Sequence, residues 1–323
     1  MRPKLFLLAI LALFSRSWLL AEEPAPVAPS PGSSVPGSPW MIIVQPGYPG
    51  STKDAEGFMS ALTGYVGDKA GLKGLSGEYY NEEKKALSLI DEKKPGFGIV
   101  SVGFYLEHRR RLGLKALCQS KPKDNFVIVA RPGELKDLSA LKGQLVVGGP
   151  LYEKNYLERI VFAGKADLSA WDSKPTVYVS RALRDLSRDK VEADGKEKTE
   201  GTARKRPAAV LLTGRDHTAF KELYSAKTLE KIFESDYYPP AFLVAFEGPG
   251  EKEPRPEAKA RAAAPRPLPE GMVKTLSRTF QGFSQDSRGR EILKMMGAEG
   301  FEEIPADWLE KVEGKYDAGV EKK

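Results

Sequence analysis

The sequence predicts an α/β fold, and three observations carry that reading. Short apolar runs of strand length recur along the chain: "WMIIVQ" (40–45), "FGIVSV" (97–102), "KALCQS" (115–120), "NFVIVAR" (125–131), "LVVGG" (145–149) and "AAVLL" (208–212). Segments with apolar residues three and four apart follow most of them, which is the helical period. The two patterns alternate almost throughout, and such alternation builds a mainly parallel sheet covered by helices.

The first residues read as an export signal. Arg2 and Lys4 precede an apolar stretch, Leu5 to Phe14, of about ten residues, too short to span a bilayer. Ala21 before Glu22-Glu23 is the expected cleavage point, giving a signal peptide over 1–21 and a periplasmic or extracellular protein. No Cys lies near that point, which argues against a lipoprotein anchor. Residues 22–39, "EEPAPVAPSPGSSVPGSP", are rich in Pro, Ser and Gly and read as a tether.

After the first strand, "PGYPGS" breaks the chain, and Ala55, Met59, Leu62 and Val66 mark a helix within 52–66. "NEEKKALSLIDEKK" (81–94) is a helix with acidic residues in its first turn and basic ones in its last, matching the helix dipole. "FYLEHRRRLGL" (104–114) is the next, its three arginines read as a solvated face. "YEKNYLERIVFAG" (152–164) is a helix capped by Gly164. "TVYVS" (176–180) reads as a strand, followed by helices "RALRDLSRD" (181–189) and "GRDHTAFKELY" (214–224). Two charged stretches without apolar period, 190–207 and 247–271, read as mobile insertions. Three helices, over 272–285, 287–297 and 305–317, close the chain.

The bulk numbers exclude several classes. Cys118 is the only cysteine among 323 residues, so no internal disulfide forms, and its apolar strand makes it a core residue. The formal charge of +6 falls to about +3 once the signal's Arg2, Lys4 and Arg16 are removed. No basic stretch is interleaved with aromatics, so a nucleic-acid partner is not expected. His108 and His217 are the only histidines, and no nucleophile or zinc-protease motif occurs; neither catalysis, a metal nor a cofactor is expected.

Several stretches together resemble one family. They are "YPGS" after the first strand, "FGIVSVGFYLEH" (97–108), "NFVIVARPGELKDLSALKGQLVVGGP" (125–150), "ESDYYPPAFLVAF" (234–246) and "GREILKMMGAEGFEEI" (289–304). Their order and spacing, over about residues 40–320, resemble the type II periplasmic solute-binding proteins of ABC importers, in the phosphate/phosphonate-binding branch. The resemblance implies two α/β lobes joined by two crossing strands. Lobe 1 would take 40–125 and 241–323, and lobe 2 would take 126–240. It also implies a small ligand in the interlobe cleft, anionic in the phosphonate-like case, an importer permease as partner, and a monomer. One departure stands out. The family places Ser and Thr where this chain has Gly149-Pro150-Leu151-Tyr152, and Pro150 has no N–H to offer an oxyanion.

Four strand-to-helix turns are the candidate binding positions: Tyr48, Ser51 and Thr52; Ser101 and Tyr105; Gly149 and Tyr152; Thr213 and Arg215. Tyrosines would sandwich a planar or apolar ligand, and Arg215 would pair with an anion. Two other readings stay open: a sensory or scaffolding module of the same fold without transport, and a hydrolase using Asp216-His217.

Overall fold

The computed structural model describes residues 39–48, 51–187, 206–221, 228–248 and 268–319. The expected signal peptide, nearly all of the tether and the bulk of both charged insertions lie outside these residues. Two separate sheets organise the rest, as the resemblance implied.

The first sheet has six strands in the order β11-β4-β10-β3-β1-β2. β1 (Trp40–Val44), β2 (Ser76–Tyr80) and β3 (Phe97–Ser101) pair in parallel, linked by α1 (Glu56–Ala70) and α2 (Glu83–Lys93). α3 (Val102–Leu112) leads into β4 (Leu114–Lys121), and β10 (Ala241–Phe246) and β11 (Gly300–Glu302) complete the sheet. Every residue of β1 and β3 is buried, the pattern of strands covered on both faces. The second sheet has five strands in the order β7-β6-β8-β5-β9. They are β5 (Phe126–Ala130), β6 (Leu145–Gly148), β7 (Asp172–Pro175), β8 (Ala209–Thr213) and β9 (Glu230–Glu234).

The sheets are mixed rather than mainly parallel. β10 runs against both β3 and β4, β11 against β4, and β5 against both β8 and β9. A strand that enters or leaves a lobe through the interlobe connection meets the sheet from the opposite end to strands within βαβ units. The chain crosses between β4 and β5, and returns between β9 and β10. The crossings touch at one antiparallel bridge, Asp124 with Tyr238.

The helix expected over 152–164 is a composite: a 3-10 turn (Pro150–Glu153), a single α turn, α4 (Lys154–Tyr156), and a π turn (Leu157–Val161). The strand expected at 176–180 is instead a turn running into α5 (Val179–Ser187); the strand itself is the preceding, more polar β7. α6 (Gly214–Phe220) follows β8. α7 (Glu270–Gln281), α8 (Ser287–Met295) and α9 (Ala306–Ala318) then cover the first sheet and its flank.

The three arginines of α3 do not share a solvated face. Arg109 is 9 % exposed and donates to the Leu106 carbonyl and to Asp317 of α9, both at 2.6 Å. Arg110 bonds the other Asp317 oxygen at 2.6 Å from the surface. One apolar cluster runs from the first sheet (Ile42, Val44, Phe242) through Tyr105, Tyr316 and Ile160 to the second sheet (Ile128, Leu211). Cys118 is fully buried, and burial pushes its thiol up to about 12, as its place in the core requires. Among the described residues no helix is long and apolar enough to cross a membrane.

Candidate functional site

A cleft of about 290 Å³ lies between the two sheets. It sits beyond the carboxyl ends of β1, β3, β6 and β8, where open α/β sheets bind ligands. The first lobe contributes Gly47, Tyr48 and Ser101; the second contributes Gly149, Glu153 and Tyr156, then Thr213, Arg215 and Asp216. Asp124 and Tyr238, the bridging pair of the crossings, also line it.

The Gly-Gly-Pro turn after β6 serves close approach. Gly47 has φ of +81°, and a Cβ there would stand 2.4 Å from the Gly149 carbonyl oxygen. Only a residue without a side chain lets these turns, one from each lobe, meet. Beyond this contact the chain turns Glu153 toward α3. Its carboxylate accepts from the Ser101 hydroxyl and, at 2.9 Å, from the Phe104 backbone N–H. Gly103 makes room: a Cβ there would lie 2.6 Å from the carboxylate. Burial raises Glu153 to about 7, against the lowering by these two hydrogen bonds.

Arg215, at the start of α6, is already engaged. Its Nε lies 3.6 Å from Asp124, and its guanidinium donates to the Gly297 carbonyl just past α8. Lobe 2 thus sets a carboxylate on the N-terminus of one lobe 1 helix and a guanidinium beside the C-terminus of another. Each charge has the sign the helix dipole favours. Burial raises the carboxyls of Asp124 and Asp216 from the ordinary aspartate value, against the lowering by Arg215 and by hydrogen bonds. One wall is aromatic: the Tyr156 and Tyr238 rings are 6.2 Å apart edge to face, and Phe126 lies 6.1 Å from Tyr156. Burial, the largest effect, also pushes the Tyr48 phenol up.

Of the candidate residues, Tyr48, Ser101, Gly149, Thr213 and Arg215 line this one cleft. Four others lie elsewhere. The Ser51 hydroxyl and N–H both bond Asp54 at 2.8 Å, a local turn, and Thr52 Oγ1 donates to the Tyr79 carbonyl. Tyr105 is 3 % exposed inside the first lobe, edge-on to Phe242, with its hydroxyl 2.5 Å from Glu313 of α9. It sits on the inner face of α3 because position four of a helix that starts at Val102 points back to the sheet. Tyr152 is 40 % exposed and packs toward Gly47 outside the cleft. Thr213 caps α6, accepting from Asp216 N–H at 3.1 Å.

Sequence reading missed Glu153, Asp124, Tyr156 and Tyr238, and singled out Asp216 only for the hydrolase alternative. For Tyr238 a signal exists, since "ESDYYPPAFLVAF" spans the lobe boundary at 240/241 that the resemblance implies, and a segment passing between lobes passes the cleft. Glu153 gave none, because an acid in the first turn of a helix normally serves that helix's own dipole. Among the described residues no cluster of three or more side chains is arranged to hold a metal ion.

A two-lobed α/β protein with a lined cleft at its crossing strands has the fold of the type II periplasmic binding proteins, and solved structures bear this out. A Xanthomonas citri protein bound to chloride superposes with TM-score 0.60 at 11% identity, over 88% of this chain and 99% of that one. A binding protein component of an ABC phosphonate transporter from Pseudomonas aeruginosa gives 0.57 at 11% identity, covering 88% of each chain. PhnD1 of Prochlorococcus marinus in complex with methylphosphonate gives 0.55 at 12% identity, over 86% and 98%. Compared by sequence, the chain matches no protein-family model and no curated protein.

Proposed function

We propose that this protein is an exported solute-binding protein that takes a small molecule in the interlobe cleft and hands it to an ABC-type permease. The lobes are assigned as 40–125 with 241–323, and 126–240. The observation that carries the reading is the cleft itself: both lobes and both crossing segments line it, so lobe motion about the crossings changes its volume. The similarity to binding proteins, one of them named for an ABC phosphonate transporter, supports the same reading.

A thermal-shift screen of the protein against oxyanions, amino acids, vitamins and nucleosides tests it. A true ligand at 100 times its dissociation constant stabilises by about 2.7 kcal/mol. A clear rise in melting temperature with one chemical class is expected; a library-wide absence of any shift would overturn the reading. The hydrolase alternative keeps one specific handle, Asp216 in the cleft wall beside His217. Esterase or phosphatase activity abolished in His217→Ala would restore it.

A further inference from the structure

We infer that Glu153 sets the ligand class of this cleft. Its carboxylate occupies the place at the first turn of α3 where an incoming oxyanion would bind, so the cleft takes uncharged or cationic solutes and excludes phosphate-like anions. The inference rests on the solute-binding reading above and names its specificity.

Free backbone N–H groups at a helix start attract anions. At the start of α3 the Phe104 N–H donates to Glu153 at 2.9 Å and, more loosely, at 3.2 Å to the hydroxyl of its N-cap Ser101, which itself donates to Glu153. The approach is built from both sides. Gly103 gives up a side chain that would collide with the carboxylate, and the Gly47–Gly149 contact brings the turn bearing Glu153 against lobe 1. Arg215, the one cation among the described residues lining the cleft, is engaged by Asp124 and by the Gly297 carbonyl. Against it stand three lining carboxyl groups, Asp124, Glu153 and Asp216. An oxyanion entering here displaces or faces carboxylates. A cation or a planar uncharged group instead meets the phenol rings of Tyr48, Tyr156 and Tyr238, whose faces favour positive charge.

Calorimetric titration of the full-length protein with inorganic phosphate and with methylphosphonate tests this. Wild type should give no binding at millimolar probe. Glu153→Ala, which vacates the place on α3, should bind at least one probe tenfold or more tighter than wild type. Glu153→Gln, whose amide oxygen still accepts from Phe104, should gain less than threefold. If the alanine variant does not fold, Glu153→Ser makes the same test with a smaller void. Submillimolar binding of either probe by wild type, or no gain in a folded alanine or serine variant, overturns the assignment. The two readings fail separately. Gain of phosphate binding in Glu153→Ala with no solute hit in the screen removes the solute-binding reading alone. Tight methylphosphonate binding by wild type removes the Glu153 assignment alone.

Discussion

Asp124 and Tyr238 exchange both of their backbone hydrogen bonds, Asp124 N–H to the Tyr238 carbonyl at 2.8 Å and the reverse at 2.7 Å. They do so where the chain passes between the lobes for the first and second time. Because both residues also line the cleft, the joint and part of the cleft wall are the same two residues. Any lobe rotation about this bridge carries the Tyr238 ring with it.

Truncating that ring tests the aromatic wall without touching the bridge, which is backbone. Tyr238→Ala should weaken the solute found by thermal shift about thirtyfold, the roughly 2 kcal/mol expected of a packed aromatic contact. Tyr238→Phe should change it less than threefold. Calorimetry with that solute distinguishes the two, and equal effects would place recognition elsewhere.

Tyr105 should behave in the opposite way. Its ring packs on Phe242 and its hydroxyl meets Glu313, so Tyr105→Ala should cost about 3–5 kcal/mol of folding stability. Tyr105→Phe should cost about 1 kcal/mol for the lost hydrogen bond. Urea unfolding reads both, and solute affinity of the folded Phe variant should stay within twofold of wild type.

The neighbouring arginines of α3 should separate sharply. Arg109→Ala removes a buried charge that ties α3 to α9 through Asp317 and should cost about 3 kcal/mol or more. Arg110 bonds the same carboxylate from the solvent side, and Arg110→Ala should cost less than about 1 kcal/mol. Comparable losses in denaturant melts would mean that α9 is not held by the buried pair.

Glu153 predicts a pH dependence with a defined sign. A carboxyl raised from its ordinary 4.5 to about 7 binds its proton more tightly in the folded protein. Its contribution to stability is therefore fully present below about pH 4.5 and lost as pH rises through about 7. The loss is at most about 3 kcal/mol. Ser101 of lobe 1, Glu83 of α2, and Tyr48 and Tyr156 of the cleft wall face or influence this group. His108 in turn pairs with Glu83 at 3.0 Å. Melting temperatures of wild type and Glu153→Gln should thus diverge in favour of the variant between pH 5 and 8. Parallel curves would show that Glu153 keeps an ordinary carboxyl in the fold.

Much of the architecture was legible because burial on two faces leaves a mark in the chain. β1, β5 and β10 are wholly apolar, and β3, β6 and β8 nearly so; the runs read at 40–45, 97–102, 125–131, 145–149 and 208–212 match β1, β3, β5, β6 and β8 with edges off by one residue. β2 ("SGEYY") and β9 ("EKIFE") went unread because they are edge strands, half exposed and mixed in composition. "TVYVS" misled for the complementary reason. Its β-branched residues line the cleft and the start of α5, and local propensity yields to what the tertiary neighbours cover.

By itself the sequence determined the alternation of strands and helices, the placing of four glycine- and hydroxyl-bearing turns at strand ends, and the core role of Cys118. Each of these follows from periodicity or from one residue's own chemistry. Tertiary structure alone decided which polar groups meet. Ser101 and Glu153 are 52 residues apart and belong to different lobes; Arg215 and Gly297 are separated by 82. Such pairs leave no local pattern, because a carboxylate or guanidinium is compatible with many partners until the fold removes water and offers one. The same holds for Tyr105. Its spacing put it on a helix near the cleft, but the helix begins at Val102, and that phase turns the ring onto Phe242 of the sheet with its hydroxyl on Glu313 of α9.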